Sequence, residues 1–217
     1  SRKKLLWSGD FKRMISVIGI GNAACNIVEN FKSQPNNYDV YCLGSKRENS
    51  KDSFKLESYE DPEDYEKNTP KLKTFFKGIQ DNVQVFIVGS SFSSNYTLGI
   101  LEQIKDKKIE IFYVKPDTEL LTGIPKLIEN TVYGVLQEYA RSGLFKSFTI
   151  FSNTELEKSL PNISIKNYFD TINQAIFSSV HYINFFKHTE PEIGQISKPI
   201  DINRISSIGA LDIKNMS

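Results

Sequence analysis

The run Met14-Ile15-Ser16-Val17-Ile18-Gly19-Ile20, closed by Gly21 and followed by apolar residues at Ala24, Ile27, Val28 and Phe31, constrains this chain more than any other feature. A nearly continuous apolar run rich in β-branched residues predicts a strand buried on both faces. The spacing from Asn22 to Phe31 predicts a helix with one buried face. Tyr38 to Leu43 repeats the strand pattern after the Pro35-Asn36-Asn37 break. Val83 to Val88 is a strand, Gly89 to Asn95 a polar loop, and Leu98, Ile100, Leu101 and Ile104 mark a helix. Ile109 to Val114 is the next strand, Lys115-Pro116-Asp117 a turn, and a helix runs from about Leu121 to Arg141. Phe148 to Phe151 is a further strand, and Ser152-Asn153-Thr154 starts a short loop or helical turn. Strands alternating with helices predict an α/β fold, a mostly parallel sheet flanked by helices on both faces, because parallel strands need crossover connections. In such sheets ligands sit where strands end and helices begin.

Between these units, Gly44 to Thr69 is rich in Lys, Glu, Asp and Ser and reads as a surface loop that supplies no core. Pro70 is placed to start a short helix bearing Leu72, Phe75, Phe76 and Ile79. From Ser164 to Phe186 the stripe Ile165, Tyr168, Phe169, Ile172, Ile176, Val180 and Ile183 predicts the longest helix, ended by Pro191 and Gly194. Ile208 to Ile213 reads as a last strand. The expected organisation is one domain over 1–217, with a basic lead-in (1–13), a central helix (164–186), and a loop and final strand (187–217).

Formal charge is +1, from 27 basic and 26 acidic side chains, so no overall field draws the chain onto nucleic acid or anionic lipid. No apolar run approaches the roughly 18 residues of a membrane span. Cys25 and Cys42 lack the spacing of a metal knuckle or redox pair and read as core thiols of a reducing, cytoplasmic compartment. His181 and His188, seven apart, have no ligand-spaced partners and read as packed or surface histidines. The acidic run Glu57 to Glu66 reads as a solvated loop.

Two strand-to-helix turns are candidate anion sites. Gly19-Ile20-Gly21-Asn22-Ala23-Ala24-Cys25-Asn26 places small residues where backbone N–H groups could approach a phosphate at a helix N-terminus. Gly89-Ser90-Ser91-Phe92-Ser93-Ser94-Asn95 offers hydroxyls and N–H groups in the same position of the next unit. Each is also an ordinary tight turn of an α/β protein.

The order of these motifs resembles the GTPase domain of FtsZ and its tubulin relatives over nearly the whole chain. The first turn looks like that family's Gly-rich nucleotide loop, with Asn26 on its closing Asn. Gly89 to Asn95 stands where the family has its Gly-Gly-Gly-Thr-Gly-Ser/Thr-Gly signature, with Gly89 alone kept among the glycines. Phe148 to Leu156 looks like the strand ending in Ile-Pro-Asn-Asp-x-Leu, with Asn153 on the Asn. The helix from Ser164 looks like the central helix, where Phe169 and Asn173 match the Phe that stacks on guanine and the Asn that bonds the base edge. The resemblance thus implies a guanine nucleotide, GTP or GDP with Mg alongside, held by Gly19, Gly21, Asn22, Ala23, Asn26, Gly89, Ser90, Ser91, Ser93, Ser94, Asn95, Asn153, Phe169 and Asn173.

Departures bear on mechanism. Side chains at Ser91, Phe92 and Ser93 in place of glycine imply strain wherever the loop needs positive φ. Leu43-Gly44-Ser45-Lys46 replaces the family's Asn-Thr-Asp. In the loop that supplies catalytic acids to the next subunit, Asp201 matches the second acid while Lys198 stands at the first, and a cation cannot orient water as a carboxylate does. These features imply weak or absent GTP hydrolysis, with self-association or a filament-forming relative as partner. Two other readings stay open. One is a nucleotide-free module of the same fold that caps or regulates a filament. The other is a dinucleotide enzyme using the Gly19/Gly21 turn, for which strand two ends without a ribose-binding carboxylate.

Overall fold

A computed structural model describes residue 11 and residues 13–160, 164–188 and 205–208. In chain order the elements are β1 (Ile15–Ile20), α1 (Asn22–Val28), β2 (Tyr38–Gly44), β3 (Ser53–Lys55), α2 (Pro62–Lys67), β4 (Asn82–Val88), α3 (Thr97–Glu102), β5 (Lys108–Lys115), α4 (Gly123–Ser142), β6 (Ser147–Ser152), α5 (Asn153–Ser159), α6 (Tyr168–His188) and β7 (Ile205–Ile208). Short 3-10 segments continue α1 (Glu29–Ser33), lead into α3 (Phe92–Tyr96) and precede α6 (Ile165–Asn167). The seven strands form one sheet in the order β3-β2-β1-β4-β5-β6-β7, with every pairing parallel. The expected α/β architecture is therefore the observed one. Among the described residues no helix is long and apolar enough to cross a membrane.

Strand periodicity sorts the core into two layers. Ile18, Ile20, Val83, Val85, Ile87 and Ile111 face a layer closed by α3, α4 and the 65–76 segment. Ile15, Val17, Phe86, Phe112 and Val114 face the other, closed by α1, α5 and α6 through residues such as Ile27, Leu156, Ile172, Ile176 and Val180. Phe11, which fell in the expected basic lead-in, belongs to this second layer and meets the Tyr38 ring edge-on at 5.3 Å.

Several expectations are corrected. The polar stretch 44–69 is not a coreless loop. It contains β3, paired with β2 at the sheet edge, and α2, which Asp61 caps by accepting from the Glu63 N–H with Pro62 in the first turn. Leu56 and Tyr65 are buried in the first core layer, and the Tyr96 hydroxyl donates to the Glu57 carbonyl. The expected helix from Pro70 is a chain of turns, because α3 takes its backbone. The Leu72 N–H donates to Gln103 Oε1 at 2.7 Å, and Gln103 Nε2 donates to the Pro70 carbonyl at 2.9 Å. The last described strand is Ile205–Ile208, paired with β6; Ile208 is its only overlap with the expected 208–213, and residues 209–217 lie outside the described ones. The first helix tightens into 3-10 geometry after Val28, and the central helix starts at Tyr168 and extends to His188.

The C-terminal half of α6 is tied to the sheet by polar groups. Asn184, fully buried, donates to Gln84 Oε1 (2.8 Å) and accepts from Gln84 Nε2 (2.7 Å); Gln84 also donates to Glu110 Oε2 (2.9 Å). Lys187 reaches Glu110 Oε1 at 3.4 Å. Burial alone would push the Glu110 carboxyl up, but Lys187 and the Gln84 amide more than offset it and hold it below the ordinary range.

Because Leu56 packs in the core, Leu56→Ala should destabilise the chain by about 2–5 kcal/mol. Urea unfolding will test this; a loss within about 0.5 kcal/mol, as for a surface position, would return 44–69 to the status of a solvated loop.

Candidate functional site

The strand order reverses between β1 and β4, so the connections leaving these neighbouring strands diverge to opposite faces of the sheet. The two sequence-predicted loops thus meet at the carboxyl ends of the strands. Gly21 has φ +96°, and a Cβ there would lie 2.8 Å from Ser93 Oγ and 3.9 Å from Ser91 Oγ. Gly19 serves packing: its Cβ would lie 2.9 Å from Val28 Cγ2 and 3.0 Å from the Ala24 backbone. The Gly21 N–H donates to the Leu43 carbonyl at 2.7 Å, fixing the turn beside the end of β2.

Asn22 fastens a third segment to the first of these loops. Its Oδ1 accepts from the Lys46 N–H at 3.0 Å and its Nδ2 donates to Ser45 Oγ at 2.8 Å. Arg47 follows, donating to Glu29 Oε1 at 2.5 Å and to Asn26 Oδ1 at 3.4 Å. Asn26 therefore bonds a guanidinium, and Ala23 is exposed on the first turn of α1. Neither Lys46 nor Arg47 was among the expected site residues, although a Lys-Arg pair directly after a strand end is a visible signal for an anion site.

The second loop uses much of its own hydrogen-bonding capacity. Ser91 Oγ donates to the Val88 carbonyl (3.0 Å), Ser94 Oγ to the Ser91 carbonyl (2.6 Å) and Asn95 Nδ2 to the Phe92 carbonyl (2.8 Å). Ser93 is the serine that faces Gly21. Strain expected at Ser91, Phe92 and Ser93 falls elsewhere: Ser90, at φ 60°, is the one non-glycine with positive φ among the described residues. Phe92 packs near Tyr65, with ring centroids 6.1 Å apart.

Beneath Gly89 and Ser90 lies Glu129 of α4, 1% exposed. Its Oε2 accepts from the Tyr113 hydroxyl at 2.5 Å. Burial pushes this carboxyl above the ordinary range, although the Tyr113 hydroxyl, Lys115 and the Ser90 N–H pull the other way. Sequence reading missed Glu129; the available signal was a carboxylate on the helix stripe shared with Val132, Leu136 and Ala140.

Phe169, in the first turn of α6, is 73% exposed and meets Tyr168 edge-on at 5.2 Å. Asn173, one turn further, is half-buried, and its neighbour Gln174 donates to Asn30 at 2.5 Å, which ties this part of α6 to the end of α1. Asn153 opens α5 at the carboxyl end of β6, after the Ser152 cap that accepts from the Glu155 N–H. Asp201 and the loop around it lie outside the described residues. His181 is packed, stacked on Phe177 with its Nδ1 2.8 Å from the Tyr38 hydroxyl, and Cys25 and Cys42 are buried free thiols as expected. Among the described residues no group of three or more His, Cys, Asp or Glu could hold a metal ion.

No family model matches the chain, and no curated protein matches it. Solved structures do. A GTPgS-bound protofilament of CetZ2 from Haloferax volcanii superposes with TM-score 0.60 at 12% identity, over 83% of this chain and 60% of that one. An empty FtsZ dimer from M. jannaschii superposes with TM-score 0.65 at 14% identity, over 84% and 57%. The C-terminal tail-truncated TubZ of Clostridium botulinum phage c-st gives 0.55 at 13% identity, over 78% and 60%. The chain has the tubulin/FtsZ-like fold and spans less than two thirds of the length of these structures.

The contact between the loops depends on Gly21. Gly21→Ala combines a left-handed backbone with a collision at Ser93, and should cost about 1–3 kcal/mol in chemical denaturation. Adding Ser93→Gly should recover the collision part only; full recovery would show that the backbone at Gly21 carries no strain.

Proposed function

We propose that this chain binds a guanine nucleotide between the 19–26 and 89–95 loops, with weak or absent hydrolysis, as a divergent relative of the cytoskeletal filament proteins. The observation that carries the reading is the close approach of Gly21 and Ser93 at the reversal of strand order, because a Cβ at Gly21 would collide with Ser93 Oγ and only glycine lets the two loops meet there. In this reading the phosphates lie between the two loops, with Lys46 and Arg47 supplying positive charge at the rim. Phe169 offers an exposed ring to the purine, and the Asn173 amide pairs with its donor and acceptor edge. Any Mg comes with the phosphates; the carboxylates beside these loops, Glu29 and Glu129, are engaged by Arg47 and by Tyr113. If hydrolysis occurs, Asp201 of a second copy is the residue to orient water, with Lys198 in place of a first acid. Association with another copy or a filament-forming relative is supported by the protofilament and dimer among the similar structures.

A second reading, a nucleotide-free module of the same fold that caps or regulates a filament, is favoured by one observation. The Ser91, Ser94 and Asn95 side chains donate within the protein, leaving fewer donors for an anion.

Thermal shift with GTP, GDP, ATP and NAD separates these readings, since a ligand of the native state raises the melting temperature by mass action. Guanine nucleotides alone should produce a shift. Phe169→Ala should weaken GDP binding by about 1–3 kcal/mol, the scale of base stacking on an aromatic ring. Asn173→Ala should cost about 0.5–1.5 kcal/mol. Unchanged affinity in both variants would remove the base assignment, and no shift with any nucleotide would leave the module reading standing.

A further inference from the structure

Glu129 is a buried carboxyl set directly under the loop proposed to hold phosphate, where a negative charge is unfavourable. It comes from the inner face of α4 to the junction of β4 and the loop. Gly89 makes room for it: a Cβ there would collide with Glu129 Oε2 and would lie 2.5 Å from the Tyr113 hydroxyl and 2.7 Å from Pro116 Cδ. Oε2 is held by Tyr113, and Oε1 is buried with no hydrogen-bond partner among the described residues. The carboxyl thus lies against the backbone of the loop at Gly89, with the neighbouring Ser90 N–H near enough to favour its ionised form.

We infer that Glu129 is a proton-linked positioning residue of the 89–95 loop: its neutral form admits a nucleotide phosphate above that loop, and its ionised form opposes it. The inference rests on the nucleotide reading given above and adds to it a titratable control of affinity. Oε1 is the oxygen free to carry the proton while Oε2 keeps the Tyr113 bond. The groups facing the carboxyl are Tyr113 and Lys115 from β5, Tyr133 from α4 itself and the Ser90 N–H from the loop, while Pro116 brings no charge. Lys115 is the one cation in this set, and its ammonium lies 4.0 Å from the centre of the Tyr133 ring. An incoming phosphate adds negative charge next to a carboxyl whose burial already favours the neutral form, so binding draws a proton onto Glu129.

The linkage has a definite sign. The folded-state value lies above the unfolded one, so the contribution of Glu129 to stability is complete below the ordinary glutamate range, about 4.3, and is lost as pH rises through the folded value. For binding, the proton taken up makes affinity fall with rising pH, by up to about tenfold per unit for one fully linked proton.

The test is GDP affinity by calorimetry between pH 5 and 8 for the full chain and for Glu129→Gln, whose amide oxygen still accepts from Tyr113. GDP's own phosphate titrates equally in both proteins, so the difference between the two profiles isolates Glu129. Affinity of the unmodified chain should fall more steeply with pH, and Glu129→Gln should bind more tightly at pH 8. Without ligand, the melting temperature of Glu129→Gln relative to the unmodified chain should rise from pH 5 to 8. Tyr113→Phe, which removes a donor to the ionised form, should move the fall in affinity to higher pH, and serves if Glu129→Gln does not fold. Binding with superimposable pH profiles overturns this inference alone. Absence of GDP binding by every protein at every pH overturns the nucleotide reading and this one with it.

Discussion

The reversal of strand order between β1 and β4 is the constraint on which the rest of the molecule depends. From β1 the chain winds outward to β2 and β3, then crosses back to β4 and continues through β5, β6 and β7 on the other side. Parallel pairing throughout places every strand's carboxyl end on one edge. At β1 and β4 the helices that follow leave to opposite faces, since α1 packs in one core layer and α3 in the other. The connections therefore part above these two strands, where the strand order also reverses, and this parting needs no special side chain to form it. What side chains decide is how closely the two loops meet: Gly21, without a Cβ, lets Ser93 stand beside it.

A second constraint fixes where the residues proposed to meet the base can point. Phe169 and Asn173 sit at the start of a helix whose far end is held by Asn184, Gln84, Glu110 and Lys187. Apolar contacts along Ile172, Ile176 and Val180 would tolerate small slides or rotations, because similar side chains repeat along the stripe. The Asn184 and Gln84 amides do not, since both bonds between them are lost by any shift and buried amides without partners are costly. The polar set thus fixes the helix register about 22 Å from Phe169, at 1.5 Å per residue, while leaving the exposed ring free to meet a ligand.

The parts legible in the sequence were those whose information is local and repeated. Buried strands such as β1, β4 and β5 announce themselves by unbroken apolar runs, and α4 and α6 by long stripes; their order already implied the sheet. The 44–69 segment was illegible because β3 holds three residues through backbone bonds, and Leu56 and Tyr65 enter the core singly, without a period to detect. The turns after Pro70 were misread as a helix because Leu72, Phe75, Phe76 and Ile79 do have helical spacing; the amide of Gln103, 31 residues beyond Leu72, captured the backbone instead. In the site, both loops were legible as strand-to-helix turns. The contacts from Asn22 to Lys46 and from Glu129 to Gly89 join residues far apart in the chain, and only the folded topology brings them together.

The second loop shows how a glycine-poor strand-to-helix turn arranges its backbone and its own polar side chains. Serines in place of glycines cannot all adopt positive φ, and here the left-handed conformation is confined to Ser90, while Ser91 turns extended and the next residues coil into 3-10 geometry. That geometry is stabilised by Ser and Asn side chains bonding carbonyls three residues back. Each such bond satisfies the loop in the absence of a ligand, and so reduces what a ligand could gain. Under the nucleotide reading proposed above, a loop satisfied from within has little left to give a transition state in which charge grows on a phosphate, which is consistent with slow turnover. Under the module reading the same bonds stand in for a ligand, so both readings rest on where the hydrogen bonds have gone rather than on any single missing residue.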